Sequence, residues 1–112
     1  MTADIDVDPD RARELIEAGD VQLVDVREPH EWDAGRIAGA RHIEIERLAT
    51  EADSLDRDRP VLFYCRVGSR SAMAASAFRR AGFDAYSVDG GLAAWDRRGH
   101  PLEPEHGTVA DH

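Results

Sequence analysis

The stretch Cys65-Arg66-Val67-Gly68-Ser69-Arg70-Ser71 concentrates the residue types that do chemistry. Cys65 is the single cysteine, and residues 60–83 around it hold four arginines and no acid, although the whole chain carries a formal charge of −9. The thiolate is the nucleophilic form of cysteine, and cationic neighbours and a helix N-terminus both favour it. Gly68 permits a tight turn that directs several backbone N–H groups inward, and Arg66 and Arg70 reinforce their positive field. This suits one activated sulfur and one anion, either a persulfide or an oxyanion under attack. The plain alternative is a small buried hydrophobe at a strand end. Arg66, Gly68, Arg70 and Ser71 beside the thiol weigh toward function.

Such a loop needs a strand that ends at Cys65 and a helix that begins just beyond Gly68. The apolar run VLFYC (residues 61–65) reads as a strand buried on both faces. Residues 69–82 read as the helix, with Met73, Ala74, Ala77, Phe78 and Ala81 on one face and Gly82 as terminator. VQLVDV (residues 21–26) is a second buried strand, residues 42–45 a short one, and residues 84–91 another strand with a glycine turn. Further helices are expected over residues 8–19, capped by Asp8 with Pro9 at the first position, over 45–55 and over 92–99, with a helical turn at 29–35. The polar tail from His100 is expected to fray.

Strands alternating with helices imply an α/β domain with a largely parallel sheet. Ligands of such sheets bind beyond the carboxyl ends of the strands, where Cys65 meets Asp25 and Arg27. Asp25 and Arg27 are read as an ion pair bracing that edge rather than as substrate contacts. Ser69 and Ser71 either bond to the sulfur species or cap the helix.

At 112 residues the sequence reads as one domain, 1–112, with its core over about 8–104. Its 23 acidic residues stand against 14 basic ones, all arginine, which argues against nucleic acid or an anionic membrane as partner. One cysteine leaves no internal disulfide, the start MTADIDVDPD is unlike a signal peptide, and no stretch nears the ~18 apolar residues of a membrane span. A soluble, cytoplasmic protein is the expectation. His30, His42, His100, His106 and His112 lack metal-ligand spacing, so no metal is expected. Trp32, Trp95, Phe63 and Tyr64 are read as packing residues, and His42 lies near enough in sequence to approach the pocket.

CRVGSRS resembles the signature Cys-Arg-x-Gly-x-Arg-Ser of single-domain members of the rhodanese (sulfurtransferase) family. LVDVREPHEWDAGRIAGARHI (residues 23–43) is similar to the family's upstream motif of Asp-Val-Arg, Glu-Trp or Glu-Tyr, Gly-His-Ile and Gly-Ala. VDGGLAAWDRRGHPLE (residues 88–103) is similar to its closing motif of paired glycines, tryptophan and Gly-x-Pro. All three follow the family's order and spacing over nearly the whole chain.

The resemblance implies a rhodanese-like domain with a five-stranded, mostly parallel sheet flanked by helices, and Cys65 at the base of a six-residue loop ending at Arg70. It implies a ping-pong cycle. Cys65 takes the outer sulfur of thiosulfate or a similar small-molecule donor and passes it, as a persulfide, to cyanide or another thiophilic acceptor. Amides of Arg66, Val67, Gly68, Ser69, Arg70 and Ser71 would hold the persulfide, and Arg66 and Arg70 would bind the anionic donor. No cofactor is implied. Arg36 stands where the family usually has histidine, and ARHIEI replaces its more usual Asn-Ile-Pro ending; both departures fall on the wall near the site, not on the loop.

Related readings differ in specific ways. Arginine-cysteine phosphatases of related fold have a loop one residue longer, and arsenate reductases often use further thiols. Non-catalytic binding modules commonly lack the cysteine. A sulfur-relay carrier would differ only in handing the sulfur to a partner protein.

Overall fold

Successive side chains of β4 (Val61–Tyr64) alternate between the two faces of the sheet with the two-residue period of a strand, and that alternation organises both cores. Val61, Phe63 and the following Cys65 face one side, Leu62 and Tyr64 the other, and all five are fully buried. The computed structural model describes residues 4–111; the first three residues of the acidic start and His112 lie outside them. Four more strands, β1 (Asp6–Val7), β2 (Gln22–Asp25), β3 (Arg41–His42) and β5 (Ala85–Val88), complete an all-parallel sheet in the order β1-β5-β4-β2-β3. β1 is only two residues long, too short to show a period in the residue pattern.

Helix α1 (Pro9–Glu17) starts as its sequence dictates, the Asp8 carboxylate accepting the Asp10 N–H at 2.9 Å with Pro9 at the first position. It shares one face of the sheet with α5 (Gly91–Arg97), through Ala12, Leu92 and the nearly buried Trp95. The other face is covered by α4 (Ser69–Arg80) and by the short α3 (Leu48–Glu51), through Leu48, Leu55, Ala74, Ala75, Phe78 and Phe83. Helix α2 (Pro29–Ala34) follows β2 at the carboxyl edge. No helix among the described residues is long and apolar enough to cross a membrane.

Three expectations are corrected. In place of one helix over residues 45–55, α3 is a single turn between 3₁₀ turns at Ile45–Arg47 and Ala52–Ser54; the Ser54 hydroxyl donates to the Glu51 carbonyl at 2.6 Å, competing with helix propagation. The buried face of α4 is Ser71, Ala74, Ala75 and Phe78, whereas Met73 is 68% exposed and lies with Ala77 in an apolar surface groove beside Ile45 and Leu48. Alanines all along this helix fit either phase, so its apolar pattern does not fix the rotation. The polar segment beyond His100 does not fray. The Arg36 and Glu103 backbones exchange two hydrogen bonds of 2.8 and 2.7 Å, Thr108 N–H donates to the Ala34 carbonyl at 2.8 Å, and Val109 packs on the second core.

Candidate active site

Strands β2 and β4 are hydrogen-bonded neighbours whose chains leave in opposite directions, β2 toward edge strand β3 and β4 toward β5. Their carboxyl ends therefore open a crevice at the sheet edge. Cys65 leaves β4 there, and the loop turns back into α4 through Gly68, which sits at φ +104° in the left-handed region.

Helix α5 braces the loop from behind. Leu92 N–H donates to the Cys65 carbonyl at 2.8 Å and Ala93 N–H to the Arg66 carbonyl at 2.9 Å. With both carbonyls turned toward α5, the Arg66 and Val67 N–H groups in the same peptide planes point away from it. The approach demands glycine: at Gly91, φ +62°, a Cβ would stand 2.6 Å from the Cys65 and Arg66 carbonyl oxygens.

Cys65 Sγ sits inside this turn, fully buried. It accepts from Gly68 N–H at 3.1 Å and from Ser71 N–H at 3.4 Å, and the Ser71 hydroxyl lies 3.4 Å away. That hydroxyl is also 3.2 Å from the Gly68 carbonyl and 2.7 Å from the Ser87 hydroxyl. With one proton, it donates to the sulfur or the carbonyl while Ser87 donates to it. Neither serine of the loop caps α4 through its side chain. Ser71 faces the sulfur, and Ser69 is exposed.

Each loop arginine meets a carboxylate from outside the loop. Arg70 forms a fork-to-fork pair with Glu31 of α2, at 2.8 and 2.9 Å. Glu31 is fully buried, and its Oε1 also accepts the Glu28 N–H. Burial works to raise the Glu31 carboxyl, but the Arg70 guanidinium, the Glu28 amide and Arg27 outweigh it and hold it below its ordinary value. The Arg70 guanidinium is held above its ordinary value, first by Glu31. Arg66 pairs with Asp111 at 2.9 Å. Val67, at the crown of the loop, is 49% exposed.

Asp25 and Arg27 form a fully buried ion pair, Nη2 to Oδ2 at 2.6 Å and Nε to Oδ1 at 2.9 Å. Arg27 Nη2 also donates to the Gly35 carbonyl at 2.8 Å, which ties the end of β2 to the end of α2. Burial works against the Arg27 charge, but hydrogen bonding and attraction to Asp25 leave its affinity for the proton raised. Beneath the pair, Tyr64 is held well above the usual phenol value, first by burial and then by the Asp25 charge, and its oxygen accepts the Ile37 N–H at 3.1 Å. His42 donates from Nε2 to the Arg27 carbonyl at 2.6 Å and stacks on Trp32, over whose ring lies the Arg36 guanidinium.

Three contributors escaped the sequence reading: Ser87, Glu31 and Asp111. Ser87 is a buried hydroxyl in an otherwise apolar strand, a signal that an unpaired serine among strand residues could have raised. Glu31 stands inside the quoted Glu-Trp pair, and its signal was an acid at a position of α2 that turns inward. Glu28, His30 and Glu31 bring ligand-type atoms within 4.8 Å of one another. Two of the three already have partners: Glu31 is held by Arg70, and His30 Nε2 donates to the Asp111 carbonyl at 2.8 Å.

A loop of inward amides around a buried thiol, at the crevice of a five-stranded parallel sheet, defines the class, and residues 8–98 match the rhodanese-like domain model: the chain belongs to that family. It is 38% identical over 102 residues to thiosulfate sulfurtransferase GlpE of Pseudomonas aeruginosa (strain LESB58), covering 90% of this chain and 91% of the relative. The GlpE protein of Pseudomonas putida (strain F1 among its designations) is 38% identical over 104 residues, with 92% and 94% covered. Among solved structures, a rhodanese-related protein from Thermoplasma volcanium superposes with a TM-score of 0.83 at 31% identity, covering 89% of this chain and 98% of that one.

Proposed function

We propose that the protein is a sulfurtransferase that carries a sulfane sulfur on Cys65, with thiosulfate or a similar anion as donor. The observation that carries the reading is the set of donors converging on Cys65 Sγ from Gly68 and Ser71. The thiolate attacks the outer sulfur of thiosulfate, the sulfur–sulfur bond breaks, and sulfite leaves with the bonding pair. The new terminal sulfur carries the negative charge. With the Cys65 and Arg66 carbonyls bonded to α5, the Arg66 and Val67 amides point away from that helix, and in this reading they donate to the terminal sulfur. Cyanide or a thiolate then attacks the terminal sulfur, and Cys65 is released as the thiolate.

A protein acceptor is the second reading, favoured by the exposure of Val67 and Met73, the two large hydrophobics left exposed among the described residues, one in the loop and one on the first turns of α4. It changes the acceptor and leaves the chemistry alone. Intact mass after incubation with thiosulfate tests the shared step. One added sulfur on Cys65, removed by cyanide with release of thiocyanate, is the expected result; it should be absent in Cys65→Ser, whose fold is kept. No gain with thiosulfate, but a gain from a persulfidated protein, would move the assignment to the relay. No gain from either would make the domain a binding module. Arg66→Ala should weaken donor use far more than it changes the melting temperature; equal losses would make Arg66 structural.

A further inference from the structure

The two carboxylates that grip the loop arginines are not equivalent. Glu31 is fully buried and holds Arg70 with two bonds, so Arg70 is fixed. Asp111 is 91% exposed on its side chain and holds Arg66 at 2.9 Å, while Arg66 itself keeps 31% of its side chain in solvent. An ion pair that open to water shifts an equilibrium by about fivefold or less. It can be displaced, and it competes with anything anionic that seeks Arg66.

What delivers Asp111 to this place is built, not loose. Residues 103–111 run as a strap along α2. The Arg36–Glu103 bridge fastens its start, Thr108 N–H fastens its middle to the Ala34 carbonyl, and His30 Nε2 donates to the Asp111 carbonyl at its far end, at 2.8 Å. Gly107 turns the strap with its N–H on the Pro104 carbonyl at 2.8 Å. The seat under it requires Gly35, since a Cβ there would overlap the Thr108 backbone. Val109 adds an apolar anchor on the second core.

We infer that this strap is a charge gate: Asp111 occupies the Arg66 guanidinium as an internal anion, and so sets how strongly the site favours anionic over neutral reagents reaching Cys65. The inference rests on the sulfurtransferase reading only for the identity of the natural donor. The gate acts on access to the thiol, whatever the thiol does.

The test therefore uses two probes of Cys65 besides thiosulfate: iodoacetate, an anion, and iodoacetamide, its neutral counterpart. In Asp111→Asn the ratio of iodoacetate to iodoacetamide alkylation should rise roughly twofold to fivefold at low ionic strength, and the rise should shrink as salt is added. Asp111→Glu, which keeps the charge, should restore the ratio. Asp111→Asn in an Arg66→Ala background should change nothing further, because the pair is already broken. For thiosulfate, Asp111→Asn should lower the concentration giving half-maximal loading and leave the limiting rate unaltered. An unchanged alkylation ratio, or a thiol equally unreactive in every variant, overturns the gate even if thiosulfate loads Cys65. A shifted ratio with no sulfur gained from thiosulfate upholds the gate and overturns the donor assignment instead.

Discussion

Cys65, Arg66, Gly68, Arg70 and Ser71 were legible in the sequence as one site because the chain delivers them in one contiguous turn, and their types alone suggest the chemistry proposed above. Glu31, Ser87 and Asp111 were not, because they reach the loop from α2, β5 and the strap, and nothing local to each announces its partner. Glu31 offers the sharpest test at this level. Its folded-state carboxyl titrates below its ordinary value near 4.5, so on acidification the unfolded chain takes up the proton first. The stability from the Glu31–Arg70 clamp is thus fully present above that ordinary value, and it is lost as the pH falls below it through the depressed folded value. Glu31→Gln should cost roughly 1–3 kcal/mol at neutral pH. Urea unfolding repeated near about pH 3 should show the deficit shrinking; a deficit that ignores pH would mean that Glu31 matters only as packing.

Among the elements, β2, β4 and α4 were readable because each pairs a sustained apolar pattern with a clear terminator. β1 was too short for a pattern, and α3 lost its continuity to a serine side chain acting on its own backbone. The α4 rotation went astray because methionine and alanine look apolar wherever they sit, and only the sheet decides which of them it meets. The glycine pair before α5 has a meaning that sequence alone hides: Gly91 is the contact surface for the Cys65 loop. Gly91→Ala should push the loop off α5, costing roughly 1–3 kcal/mol through overlap, and sulfur loading should fall by more than the loss of folded protein explains. Loading that simply follows the folded fraction would show that the loop keeps its shape without α5.

The two cores lie back to back on one sheet, and β4 supplies residues to both. They should be lost together. Far-ultraviolet circular dichroism and tryptophan fluorescence are expected to give coincident urea transitions, as in most domains of this size; separated midpoints would mean that the α4 face and the α5 face unfold independently. The acidity of the chain leaves the loop as a local positive patch, and the fold confines its arginines with carboxylates placed at two different depths.

The full burial of Cys65 has a consequence for the chemical lifetime of the protein. Oxidation of a cysteine follows its thiolate character and its exposure, and past the sulfenic stage it is in general irreversible. This sequence holds no second thiol to rescue a sulfenic acid by forming a disulfide. A thiol sealed under its own loop meets peroxide only during brief openings, so burial shelters it while it is idle.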